Sequence, residues 1–135
     1  MIVDNCIENA KALFKELEGE FYPFGYVIKN DASAMPYYVD IDVEFPDGNE
    51  VIKQLATSLA SEIKKGKYIQ GAVCSLNRKE MEGVTFEFLD IKTLDFKGDA
   101  KDYVALISPD YINYTFEVID ISDYIGTINA YNLNN

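Results

Sequence analysis

From residue 68 onward the apolar pattern of this chain alternates with period two and does not return to helical spacing. Segments 68–76, 84–94, 103–107 and 114–121 read as strands. Turn residues separate them: Asn77 through Gly83, then Lys97, Gly98 and Asp99, then Ser108, Pro109 and Asp110. Parallel neighbours need a crossover of a dozen or more residues, and these connections are shorter, so the four strands are expected to form an antiparallel meander. Stretch 124–135, with Gly126 and an Asn-rich end, is expected to add a short edge strand and a frayed tail.

The first half of the chain has a different rhythm. In 4–17, Ile7, Ala10, Leu13, Phe14 and Leu17 recur at the three-four spacing of an amphipathic helix, with Gly19 placed to stop it. Segment 21–28 is aromatic and β-branched, and 29–33 is a polar loop leading to the next strand. Segment 37–45 alternates, with Tyr37, Val39, Ile41, Val43 and Phe45 on one side and Tyr38, Asp40, Asp42 and Glu44 on the other, so it reads as a half-buried strand. Pro46, Asp47, Gly48 and Asn49 supply a turn and an N-cap, and 51–63 carries a second helical stripe. Lys64, Lys65 and Gly66 close that helix, because cations suit its C-terminus and glycine its left-handed cap. The expected fold is α+β, in the order αββαββββ: an antiparallel sheet of five to six strands with both helices on one face. A single domain is expected over 1–135, frayed after about residue 124.

At 135 residues, 48% apolar and 26% charged, the chain has the composition of a folded domain with one core. Its 23 acidic and 12 basic residues give a net charge of -11. Arg78 is the sole arginine, and the lysines cluster only at Lys64, Lys65 and Lys67. Nucleic acid needs a basic patch, so it is excluded as a partner. The N-terminus lacks the basic and apolar regions of an export signal, and no apolar run has the length of a membrane span, so the expected compartment is the cytoplasm, with no membrane partner. Cys6 and Cys74 form no paired motif and are expected to be buried thiols on a helix and a strand.

Histidine is absent. That removes Ser-His-Asp and Cys-His nucleophilic schemes together with every histidine metal site. No glycine pattern matches a phosphate-binding loop or a dinucleotide fingerprint, so no cofactor, metal or catalytic residue is assigned. Carboxylate chemistry remains. Asp40, Asp42 and Glu44 would share one strand face, with carboxylates about 6–7 Å apart, close enough for two of them to hold Mg²⁺ or Ca²⁺. As a calcium loop the run fails, because Phe45 stands where glycine is required. The same triplet also serves as a solvated face or as a partner-binding face. Glu87, Asp90, Asp110 and Asp120 are the other carboxylates available for a facing pair.

Ten tyrosines and eight phenylalanines, without tryptophan, form the other positive feature. Tyr111, Tyr114, Tyr124 and Tyr131 concentrate toward the C-terminus, and tyrosine suits interfaces because it joins a large area to a polar tip. Pro23 and Gly25, set among aromatics, suggest a bend at the start of the first strand. There glycine permits close backbone approach, and the aromatics either pack or line a groove. The element Phe21-Tyr22-Pro23-Phe24-Gly25 after an N-terminal helix resembles one found in a set of small uncharacterised bacterial proteins; the resemblance implies an α+β fold and brings no activity. The resulting expectation is a non-enzymatic module that binds a basic protein, such as an immunity protein neutralising a toxin or a small chaperone. Tyr38, Asp40, Asp42, Glu44, Tyr124 and Tyr131 are the expected contacts. The alternatives are a carboxylate-dependent, divalent-metal hydrolase and a structural homodimer.

Overall fold

The computed structural model describes residues 2–16, 21–41, 47–109 and 114–120. Helix α1 (Ile2–Glu16) leads into strands β1 (Phe24–Lys29) and β2 (Ala34–Tyr37), followed by helix α2 (Gly48–Lys64). Strands β3 (Tyr68–Met81), β4 (Val84–Asp95), β5 (Ala100–Pro109) and β6 (Tyr114–Asp120) complete the order. The six strands form one sheet in the order β2-β1-β3-β4-β5-β6, antiparallel at every step. The α+β class, the element order and the C-terminal meander agree with the sequence reading.

The expectation that both helices share a face is corrected. Directly paired residues of antiparallel strands point the same way, so the registers Phe24↔Cys74, Tyr26↔Ala72 and Cys74↔Ile91 define one face, and Gly25↔Val73 and Val27↔Gly71 the other. Ile2, Val3, Cys6, Ile7, Ala10 and Phe14 of α1 pack on the first face, against Phe24, Ala72, Cys74, Leu89, Ile91, Ala105 and Ile107. Val51, Leu55, Ala56, Leu59 and Ile63 of α2 pack on the second, against Val27 and Val73. The reason lies in β1 and β3, which are apolar or small at consecutive rather than alternate positions, the pattern of strands buried on both faces. Gly71 fits this arrangement closely: a Cβ there would come within 3.1 Å of Ile63 Cδ1 and 3.2 Å of Leu59 Cδ2.

Local chemistry sets the boundaries. Asp47 caps α2, its carboxylate accepting from the Asn49 N–H at 2.9 Å, and Gly66 leaves the helix with φ +81. The segment expected as loop between β3 and β4 is mostly strand. Only Glu82 and Gly83 turn the chain, both at positive φ (52 and 78), the geometry of a type I′ hairpin. The next turn is held by the Asp95 carboxylate, which accepts from the Lys97 and Asp99 N–H groups at 2.9 and 3.0 Å. β1 follows β3 only as far as Cys74, and β5 meets β4 only from Glu87 onward. The end of the β3–β4 hairpin is therefore a two-stranded arm. One side of the arm carries the Arg78–Glu87 ion pair (3.1 Å), while Val84 (54% exposed) and Phe86 (45% exposed) lie on the other.

The expected strand 37–45 is also corrected. β2 ends at Tyr37, residues 38–41 are irregular, and 42–46 fall outside the described residues. Continuing the β1–β2 register would bring Val39 opposite Pro23, which has no N–H to pair, so the ladder stops there. The alternation of burial nevertheless survives the loss of the ladder: Tyr37, Val39 and Ile41 pack against the α2 cluster while Tyr38 and Asp40 stay exposed.

Candidate functional site

The Phe21–Gly25 element divides its side chains between core and surface. Phe21 turns toward α1, with its ring 5.5 Å from Phe14 in an edge-on arrangement and 5.7 Å from Phe24. Phe24 is buried. At Gly25 a Cβ would lie 2.9 Å from the Tyr37 carbonyl oxygen, too close for any side chain without moving the backbone. The bend at Pro23 thus brings β2 hard against β1 and leaves Tyr22 on the outside.

Two concavities meet at this bend. The first, about 350 Å³, is lined by Tyr22, Pro23, Tyr38, Asp40, Val51 and Leu55, among others. The second, about 280 Å³, shares Tyr22 and Pro23 and runs past Asp47, Gly48 and Asn49 at the start of α2 to Ser75 and Asn77 of β3. Together they form a trough over the N-terminal end of α2. The first concavity has an apolar floor and the second a mixed one, the rims carry Tyr22 (52% exposed) and Tyr38 (71% exposed), and among the described residues the charged lining is Asp40 and Asp47. Tyr37, next to the rim, is fixed by a hydrogen bond to Ser58 and by edge-on packing at 5.9 Å on Tyr68.

Beyond Ser75 the α2 face mixes polar groups with the half-buried hydrophobes Phe88, Val104 and Leu106. The Asn77 amide donates to the Asp90 carboxylate on the neighbouring strand. Burial pushes the Asp90 carboxyl up, the Lys92 ammonium opposes that, Asp102 adds to it, and the Asn77 bond pulls back. Asp102 is only 2% exposed and pairs with Lys92 at 3.6 Å, directly across the β4–β5 ladder. On the opposite face Cys6 and Cys74 are buried and free, as expected, and burial together with the neighbouring Cys6 pushes the Cys74 thiol up.

Of the residues singled out in the sequence, Tyr38 and Asp40 come together on the trough. Asp42, Glu44, Tyr124 and Tyr131 lie outside the described residues. Among the described residues no three Asp, Glu or Cys side chains converge as metal ligands. None of the described helices is long and apolar enough to cross a membrane. Tyr22, Asp47 and Asn77 were not among the expected contacts. For Tyr22 the signal in the sequence is its place beside Pro23, where a bend among aromatics can line a groove. For Asp47 and Asn77 the sequence showed only a cap and a turn residue. The chain matches no family model, no curated protein and no solved structure.

Proposed function

We propose that this protein is a non-enzymatic binding module for a basic protein partner and that the trough at Tyr22, Tyr38 and Asp40 is its contact surface. The reading rests on one observation: two adjoining concavities, the first with an apolar floor, bordered by exposed tyrosines and carboxylates on a chain of net charge -11. Tyrosines in such a place anchor, and the surrounding negative charge speeds and orients the encounter with a cationic surface. A toxin neutralised by its immunity protein is one partner of this kind, and a client held by a small chaperone is another.

The test is affinity capture at low and moderate salt with the native chain and with a Tyr38→Ala, Asp40→Asn variant. Recovery of one basic protein, reduced by salt and by the variant, is the expected result. Equal recovery by the variant, or none by either chain, would remove the trough from the interface.

A further inference from the structure

We infer that the trough receives an extended segment of the partner, with a lysine or arginine side chain lying between Tyr22 and Tyr38 and its charge directed at Asp40. This inference rests on the binding reading above and goes on to specify what is bound.

Size comes first. Each concavity is at or below the low end of ligand pockets, which run from ~300 to ~1,000 Å³, and the two meet at the Tyr22–Pro23 wall. Such a pair takes successive side chains of an unfolded segment better than one bulky ligand. A strand added to the sheet edge is disfavoured as an alternative mode. The Lys29 N–H bonds to the Ser33 carbonyl at 2.8 Å, so with the observed register Met35 and Tyr37 bond inward to β1 while Ala34, Pro36 and Tyr38 face the open edge. Pro36 has no N–H to offer there, and the edge is blunted as a template.

Charge comes second. Among the described residues no Lys or Arg lines either concavity, whereas Asp40 and Asp47 do. An anion at the start of α2 would face Asp47 and, one turn in, Glu50, so the helix terminus offers no anion site. The floor of Val51 and Leu55 suits the alkyl stem of a long cationic side chain, and the two exposed rings suit its charged head.

The experiment is selection on the full chain from a displayed library of randomised segments about ten residues long, long enough to cross both concavities. Expected is enrichment of segments with Lys or Arg beside apolar residues, with affinity reduced about tenfold, or about 1.4 kcal/mol, by Asp40→Asn and by Tyr22→Ala, and further weakened by salt. Circular dichroism on each variant establishes that the fold is intact. No enrichment, enrichment of neutral or acidic segments, or binding indifferent to both substitutions would overturn the inference. A basic partner captured in the earlier experiment without any segment selected here would leave the binding reading standing and show that a folded surface, not an extended segment, is what docks.

Discussion

The two faces of the sheet are covered to different extents. Helix α1 closes a continuous apolar layer that runs from β1 across β3 and β4 to β5, with Thr93 the buried polar side chain named on that face. Helix α2 covers β1 and β3 and meets β4 at Leu94; elsewhere on this face lie the half-buried Phe88, Val104 and Leu106, Asp90, the Lys92–Asp102 pair and the exposed side of the arm. One face stabilises the chain. The other, less fully covered, is where the trough opens and where Asp90 and the Lys92–Asp102 pair lie. A binding surface at the border of an incompletely covered layer costs little core, since the apolar side chains it uses, Val51 and Leu55, already pack on the sheet.

The largest effect that would test this contrast is on the α1 face. Leu89→Ala should cost about 2–5 kcal/mol, because a fully buried leucine leaves a cavity that neighbours fill only in part; urea unfolding measures it, and a cost under ~1 kcal/mol would mean that this layer is not the stabilising one. Next, Gly25→Ala should cost about 1–3 kcal/mol by forcing Tyr37 and β2 away from β1, with a loss of protection at the β1–β2 amides in hydrogen exchange. Asp90→Asn should act in the opposite sense and raise the unfolding midpoint at neutral pH by a few degrees.

The sign for Asp90 follows from its raised pKa. The folded protein holds that proton more tightly than the unfolded chain, so the group's stabilisation is present below the ordinary value of 3.8 and is lost as pH rises through the raised one. The Asn77 amide keeps an acceptor in the variant. An unchanged stability-pH slope between native and variant would show that Asp90 is solvated like any surface carboxylate. The smallest stability effect belongs to Tyr38→Ala, within about 0.5 kcal/mol because the ring is exposed, while partner binding falls. A variant that lost stability and binding together would blur the contrast between the faces.

Much of the architecture was legible from periodicity. Alternation from residue 68 onward gave the meander, and the stripe from Val51 to Ile63 gave α2 with its Asp47 cap. The placement of α1 and α2 on opposite faces was also written in the chain, in Gly25-Tyr26-Val27-Ile28 and Gly71-Ala72-Val73-Cys74, but consecutive apolar residues carry no alternation and so no obvious face. The expected strand does not continue through 38–41 for a non-local reason: its alternation reports packing on α2, and whether a ladder forms there depends on Pro23, sixteen residues before Val39. The site was legible only at Tyr38 and Asp40. Asp47, Asn77 and Tyr22 belong to three separate segments, and only their meeting at the bend makes a trough.

The buried thiols of Cys6 and Cys74 give this protein an internal clock. They sit on opposite sides of the seam between α1 and β3, buried, with the Cys74 thiol pushed up by burial and by its neighbour, so a thiol reagent reaches them only while that seam is open. Labelling at the rate of global unfolding would mean that helix and sheet part together. Labelling that runs ahead of it would date a separate, earlier departure of α1.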